Sequence, residues 1–320
     1  MSASALRLAG LAAALIALPL ALSDFWLFIA IEVLAYSLYA VSFNLLLGFG
    51  GMLSFGHAAF FGLGGYAAAL LARGGLLAGG PGFVLLPVAA MAAAAAGALV
   101  IGFFSVRRAG IYFAMLTFAF QMLLYTVALK ATPLTGGDDG LTGLKPPGLL
   151  AQTPVYYYFA LAFVAVSLYV LFRIVRSPFG CVLRAVRANP RRVQCVGVDV
   201  RAHQLATFVL SGAFAGLAGA IFAMSSGNVF PGWLNWTASA TPIVMTVLGG
   251  VRSFLGPALG AAVYVVLEVL ISGHTEYWPL AMGIIILVLV LAMPGGLIGL
   301  GQRSRAQGEA PGAAHGRAAK

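Results

Sequence analysis

Charged residues are scarce in this sequence. Only 8% of its 320 residues are Asp, Glu, Lys or Arg, whereas 62% are hydrophobic. A soluble domain carries about 25% charged residues, so this chain lacks the residues for an ordinary water-facing surface. Apolar runs of about 20 residues, each long enough to cross a bilayer core of roughly 30 Å, recur along most of the chain. The shortage of charge therefore excludes a soluble globular protein and indicates a membrane protein.

Motifs for energy coupling and hydrolysis are also missing. Lysine occurs only at positions 130, 145 and 320, and none completes the Gly-x-x-x-x-Gly-Lys loop that binds the phosphates of ATP. The chain has no His-Glu-x-x-His metal pair and no Gly-x-Ser-x-Gly nucleophile elbow. We therefore predict a non-catalytic chain that has no catalytic, cofactor-binding or metal-binding residues and holds no cofactor.

The apolar runs predict an all-α fold, a polytopic integral membrane bundle of about ten transmembrane helices, because a helix satisfies its backbone hydrogen bonds within the bilayer. The predicted spans are residues 6–22, 25–47, 54–72, 83–104, 110–129, 156–175, 205–226, 238–251, 256–272 and 278–297. Residues 6–22 could also pass for a cleavable signal peptide. Because the next span begins at Phe25, we interpret them as a retained first helix.

Basic residues beside the spans predict the topology. The net charge is +10, and Arg residues cluster between the sixth and seventh spans, between the fourth and fifth, and after the last. Cytoplasmic placement of these clusters follows the positive-inside rule, puts both termini in the cytoplasm and explains the charge without nucleic acid. Cys181 and Cys195 then lie in a reducing compartment, where a disulfide is not expected.

The same topology divides the chain. Residues 1–301 form the predicted transmembrane domain, with an external loop at 130–155 and a cytoplasmic loop at 176–204. Residues 302–320 have no apolar periodicity and predict a disordered cytoplasmic tail.

Gly-rich segments interrupt the spans. Residues 47–56 resemble residues 247–256, and residues 61–65 resemble 215–219. Paired broken segments often mark a transport path, so one pair is a candidate trace of an internal duplication. The alternative is that small residues simply let helices pack closely. With 41 glycines in the chain, both interpretations stay open.

Few polar residues lie within the predicted spans, and the carboxylates have two interpretations. A charge in lipid is costly, so Glu32 and Glu268 are expected to face the bundle or a wet cavity. They either meet a cationic group of a substrate or pair with Arg73, Lys130 or a backbone donor, and we favour the pairing. His57 is expected as a buried hydrogen-bonding residue rather than a ligand. The candidate pathway residues are Glu32, Asn44, Ser54, His57, Gln121 and Glu268.

The loop at residues 176–204, called the basic loop below, carries helix signals of its own. Pro178 ends the sixth span. Asn189 suits an N-cap, Pro190 suits the first helical position, and Gly197 suits the residue after a helix. A short amphipathic helix between these caps is predicted to lie against lipid headgroups or in a partner's groove.

An ordered set of motifs carries a family resemblance. The motifs are NLLLG (44–48), GMLSFGHAAF (51–60), TGGDDGL (135–141), RSPFG (176–180), RAVRAN (184–189), FVLSGAFAGLAGA (208–220), GGVRSFLGP (249–257) and PGGLIG (294–299). With these motifs the chain resembles the permease subunits of branched-chain amino acid ABC importers, and the match runs from about residue 34 to 300.

The resemblance implies partners and a location. It implies a second related permease, two ATP-binding subunits that bind the ATP, a periplasmic substrate-binding protein and a place in the bacterial inner membrane. The basic loop would be the coupling element that docks on the ATPase. The docking residues so implied are Arg184, Arg187, Asn189, Arg191, Arg192, Val193, Val196 and Gly197.

Departures and alternatives remain. After Asn189 the family usually has an acidic residue and alanines, whereas this chain has a Pro-Arg-Arg sequence, and Gln204 stands where lysine is common. Both changes put the partner contacts of the loop in doubt. The same architecture serving urea, short amides or another amino acid is the nearest alternative. An ATPase-independent channel or a structural membrane protein is the alternative from another class.

Overall fold

The computed structural model describes residues 15–20, 22–75, 81–144, 146–292 and 295–299. Residues 15–20 are helical, but most of the first predicted span and the whole predicted tail lie outside the described residues. The longer elements of the described part are helices. They are α1 (Asp24–Asn44), α2 (His57–Arg73), α3 (Pro81–Ser105), α4 (Ile111–Lys130), α5 (Thr153–Arg176), α6 (Pro178–Ala188), α7 (Pro190–Cys195), α8 (Val200–Ser226), α9 (Trp236–Gly249), α10 (Gly256–Ser272) and α11 (Trp278–Ala292).

The predicted polytopic helical bundle is confirmed. Within the described part, five helices are long and apolar enough to cross a membrane: α1 with its extension to Phe49, α3, α4, α5 and α8. The remaining membrane-length candidates, α2, α9, α10 and α11, have 14 to 17 residues. At 1.5 Å per residue they measure about 21 to 26 Å, less than the roughly 30 Å of a bilayer core. The predicted spans therefore comprise full-length and shortened helices.

Three of the shortened helices, α2, α9 and α10, adjoin breaks in the α-helical structure, as the Gly-rich segments predicted. The α1 helix continues as a π-helical turn, Leu45–Phe49, and the chain then runs without helix through residues 50–56 before α2. A second break, residues 250–255, separates α9 from α10. We call residues 45–56, which include the π-helical turn, the first break and residues 250–255 the second break. Gly48 of the first break lies against the Val251 carbonyl of the second, so the similar segments 47–56 and 247–256 are neighbours in the fold.

The α8 helix lies at the centre of the bundle and packs against α1, α2 and α3. Glycine permits the closest approach: a Cβ on Gly64 of α2 would lie 2.0 Å from the carbonyl oxygen of Gly216 in α8, and one on Gly219 would lie 1.9 Å from that of Phe61. The second pair of similar segments, 61–65 and 215–219, is therefore the α2–α8 crossing. This crossing follows the small-residue packing of membrane helices.

Contacts identify the two ends of the bundle. At one end the strands β1 (Leu141–Thr142) and β2 (Asn228–Val229) pair antiparallel, and the guanidinium of Arg73 donates to the Thr142 carbonyl at 3.0 Å. This small sheet is an addition to the predicted all-α fold. At the other end, called the basic end below, Arg187 of the basic loop contacts Gly48 and Gly51. Arg73, one of the expected partners of Glu32 and Glu268, donates here to the backbone.

Candidate functional site

The basic loop folds into α6 and α7, and its predicted caps are in place. The Asn189 side-chain oxygen accepts a hydrogen bond from the Arg192 backbone N–H at 3.2 Å, and Pro190 is the first residue of α7. Gly197 follows the helix with φ +88°, a conformation that costs glycine little. Because the caps satisfy free backbone groups at the ends of α7, the loop is ordered rather than a flexible connection.

The two helices of the loop differ in how they contact the bundle. Leu183 and Val186 of α6 are buried against it, whereas α7 has no buried residue. Val196, at the end of α7, is 82% exposed, and Val193 is half-buried. Of the other predicted docking residues Asn189 is half-buried, and Arg184, Arg187, Arg191, Arg192 and Gly197 are exposed. The α7 helix therefore presents cations and one exposed valine away from the bundle.

Arg187 has a different position from the other predicted docking residues. Its guanidinium donates to the carbonyl of Gly48 in the π-helical turn. The stem of its side chain lies over Gly51, where a Cβ would come within 2.7 Å of the Arg187 Cγ. Arg187 also borders a cleft of about 540 Å³ at the basic end, together with Arg108 and Gln204. The resemblance implies a docking role for this arginine, which stays a prediction; the structure adds that its guanidinium contacts the first break.

Two candidate pathway residues, Asn44 and Ser54, hold the breaks. The Asn44 side-chain nitrogen donates to the carbonyl of Ser253 in the second break at 3.0 Å. The Ser54 hydroxyl accepts from the Gly56 backbone N–H at 3.2 Å within the first break. Both side chains are buried and face no open channel in this conformation; Asn44 reaches the second break, whereas Ser54 stabilises the first.

His57 is buried among aromatic rings near the start of α2. Its Nε2 lies 3.2 Å from the Ser42 hydroxyl, which donates to the Tyr39 carbonyl at 2.7 Å. Because that hydroxyl proton is used, Nε2 of His57 is the donor to Ser42. The His57 Nδ1 atom is buried and has no hydrogen-bond partner. The described residues include no group of three His, Cys, Asp or Glu side chains that could hold a metal ion.

Gln121 connects three elements inside the bundle. Its side-chain nitrogen donates to the Leu234 carbonyl at 3.0 Å, and its oxygen accepts from the Ser239 hydroxyl at 2.8 Å. The same Ser239 oxygen accepts from the Ala58 backbone N–H at 2.9 Å. Ser239 is thus the residue that links Gln121 to the His57 region, and the sequence interpretation missed it. A single serine on a short apolar helix does not indicate a hydrogen-bonding role by itself, and the residues that it contacts are far away along the chain.

Glu32 of α1 and Glu268 of α10 lie on neighbouring helices in the half of the bundle away from the basic end, and these helices pack together through Val33 and Val265. Both glutamate side chains are half-buried. Tyr36 and Tyr264 belong to the same contact between the two helices. The tyrosines stand four residues from the glutamates, a helical spacing that could have identified them. The structure brings the two glutamates to one helix contact, and their favoured pairing with Arg73, Lys130 or a backbone donor stays a prediction.

Similarity to known proteins decides the family. Residues 25–293 match the family described as the branched-chain amino acid transport system / permease component. The chain belongs to this family. The match covers both breaks, the basic loop and the α2–α8 crossing, and it agrees with a multi-pass membrane protein.

Individual relatives define the type of permease. The chain is similar to the high-affinity branched-chain amino acid transport system permease protein LivM of Escherichia coli, with 30% identity over 298 residues that cover 84% of this chain and 69% of the relative. It is 31% identical to a probable LivM of Methanocaldococcus jannaschii over 154 residues, 45% of this chain and 44% of the relative. LivH of Salmonella typhimurium is 25% identical over 150 residues, 46% and 47% of the two chains. The chain is therefore of the LivM type. No solved structure matches it.

Proposed function

We propose that this chain is the transmembrane permease subunit of an ATP-binding-cassette importer for branched-chain amino acids. It forms the translocation pathway with a second, LivH-like permease in the bacterial inner membrane, with both termini in the cytoplasm. Two separate subunits bind and hydrolyse ATP, a periplasmic binding protein delivers the substrate, and lipid surrounds the bundle. The observation that carries this proposal is α7, a capped helix that presents two arginines, buries no residue and is followed by the exposed Val196.

The chemistry of α7 suits a protein groove. An exposed valine gains about 1.5–3 kcal/mol when it becomes fully buried, so Val196 supplies an apolar anchor. The guanidinium groups of Arg191 and Arg192 form strong bonds with carboxylates at the rim of such a groove. Because Asn189 and Gly197 fix the ends of the helix, little conformational entropy is lost on docking.

The glutamate pair supports a cationic cargo group. Branched-chain amino acids carry an ammonium group, and Glu32 and Glu268 supply two carboxyl groups at the contact between α1 and α10, which also includes Tyr36 and Tyr264. A cation nearby favours the ionised form of a carboxyl group, so both glutamates would gain from an ammonium group placed between them. We propose that this pair lines the pathway and contacts the ammonium group. Urea and short amides lack that charge, so the pair favours the amino acid over those alternatives.

Replacing Val196 by Asp tests the docking assignment. Val196→Asp should reduce the amount of ATPase subunit that co-purifies with the tagged permease by roughly tenfold or more, because burial of the apolar side chain is lost and a charge enters the interface. Gln194→Asp is the matched control, since it adds the same charge to α7 about 200° around the helix from Val196. Equal recovery of ATPase with both variants would remove α7 from the docking surface. An ATPase-independent channel would bring down no such subunit even from the wild type.

Neutral replacements test the pathway assignment. Glu32→Gln and Glu268→Gln should reduce leucine uptake by the reconstituted complex, and urea should not compete with leucine. Glu276→Gln, at an exposed position between α10 and α11, is the control. If uptake by both pathway variants matches that of the control while the complex still assembles, the glutamates are structural.

A further inference from the structure

The end of α1 exposes backbone carbonyls that the helix itself does not use. The π-helical turn Leu45–Phe49 closes α1, and the last carbonyls of any helix lack partners within it. π-helical turns are rare and occur often at functional sites. The Arg187 guanidinium donates to one of these carbonyls, that of Gly48, where the helix dipole also favours a cation. One side chain of the basic loop thus holds the end of α1.

The space beside this contact is shaped for Arg187. Gly51 in the first break has φ +66°, and a Cβ there would lie 2.7 Å from the Arg187 Cγ. A residue with a side chain would therefore be strained at this position and would also displace the arginine. The contact between Arg187 and the first break therefore needs glycine at position 51, both for the backbone conformation there and for the space that the arginine side chain occupies.

On the loop side, Arg187 is attached to the docking helix without a flexible connection. Leu183 and Val186, on the same helix, are buried against the bundle. Asn189 both ends α6 and caps α7, so no free residue separates the two helices. A displacement of α7 therefore reaches Arg187 through two short, rigid helices.

On the bundle side, the Gly48 region is joined to the second break. A Cβ on Gly48 would lie 2.5 Å from the Val251 carbonyl oxygen, so the two breaks touch at this glycine. Asn44 donates to the Ser253 carbonyl at 3.0 Å, and the Ser253 hydroxyl donates to the Gly250 carbonyl at 3.0 Å. Movement of the π-helical turn is thereby imposed on the segment between α9 and α10.

We propose that Arg187 is the positioning residue that couples movement of the ATPase-docking helix to both helix breaks, rather than a docking contact itself. The inference rests on the proposed function and deepens it. In this coupling the ATPase displaces α7, Arg187 transfers the movement to the Gly48 carbonyl, and the two breaks move together. Loss of the guanidinium separates ATP hydrolysis from transport without releasing the ATPase.

The test uses the complete complex reconstituted in lipid vesicles. Three quantities are measured for each variant: the ATPase subunits that co-purify, the rate of ATP hydrolysis and the rate of leucine uptake. Arg187→Ala should keep the ATPase and its hydrolysis within about twofold of wild type but lower the uptake per ATP by roughly tenfold, the effect of losing one charged hydrogen bond. Arg187→Lys should restore part of the uptake, because it keeps the charge. Arg201→Ala is the matched control, since it removes one exposed arginine from the same end of the bundle.

The outcomes separate this inference from the proposed function. If uptake per ATP is the same for Arg187→Ala as for Arg201→Ala, the coupling role of Arg187 is overturned. Loss of the ATPase subunits from Arg187→Ala would overturn it too, because the residue would then be a docking contact. If Arg187→Ala fails to fold, Gly51→Ala takes its place: it displaces the arginine without changing charge and should lower uptake per ATP in the same way. A wild-type complex with neither ATPase association nor uptake would instead refute the proposed function.

Discussion

The crossing of α2 and α8 offers a sharp test of the fold. Gly64 of α2 lies against the backbone of Gly216 in α8, and an added Cβ would be 2.0 Å from the Gly216 carbonyl oxygen. The obstacle is backbone at the centre of the bundle, so no side chain can rotate away. Gly64→Ala adds a single methyl group at this point, and the two helices must separate to accept it.

The geometry sets the size of the effect. Ordinary van der Waals contact begins at 3.4 Å, so the helices must part by about 1.4 Å, the difference between 3.4 and 2.0 Å. A gap of about 0.5–1 Å already loses a quarter to a half of the dispersion attraction of each atom pair. Overpacking costs about 1–3 kcal/mol, and we expect a loss of stability near 3 kcal/mol because the backbone cannot yield. For a domain of this size that corresponds to an apparent Tm lower by about 6–12 °C.

The measurement is thermal unfolding of the detergent-purified protein. Gly283→Ala in α11 is the matched control: a Cβ at Gly283 meets nothing within 4 Å, so its Tm should stay within about 2 °C of wild type. Ala substitutions at both positions change helix propensity equally, so the difference between them reports only the crossing. A Gly64→Ala variant no less stable than Gly283→Ala would show that α2 and α8 do not approach as closely as described.

Two further predictions address the buried polar network and the orientation of the chain. Gln121→Leu leaves the Ser239 hydroxyl and the Leu234 carbonyl without their partner and should destabilise the protein by about 2–4 kcal/mol in the same assay. The control, Thr126→Val, removes an exposed hydroxyl and should change stability by less than about 0.5 kcal/mol. Equal Tm values for the two variants would contradict the hydrogen-bond network around Gln121. In a Cys181→Ser background, a membrane-impermeant maleimide should label the exposed Cys195 in inside-out vesicles and not in spheroplasts. Labelling in spheroplasts would place the basic loop outside and reverse the topology.

Local signals predicted the basic loop well. Pro178, Asn189, Pro190 and Gly197 each act on the backbone within four residues, and the structure has every one of them in its predicted role. Neighbouring residues alone determine a cap, so the sequence contains all the information it needs. The helical class likewise followed from composition, because few structures satisfy every backbone hydrogen bond within lipid.

The contacts of individual side chains could not be predicted, and the reason is distance along the chain. The sequence placed Arg187 on the docking surface, where it is exposed, but contained no signal for its contact with Gly48, which is 139 residues away. Nor could it show that Glu32 and Glu268 lie on helices that pack together. Helical periodicity shows which residues share a face of one helix and contains no information on which helix packs against that face.

The sequence by itself determined the structural class, the local elements and the family resemblance of this protein: apolar helices, glycine breaks, a basic loop with its caps, and the motifs of a permease family. Only the tertiary structure decided how these parts meet. It brought the first break against the second, set Arg187 on the carbonyl of Gly48, and brought Glu32 and Glu268 to one helix contact. Each of these contacts joins residues more than 130 positions apart, and such contacts form only when the packing of the whole bundle selects one arrangement of its helices.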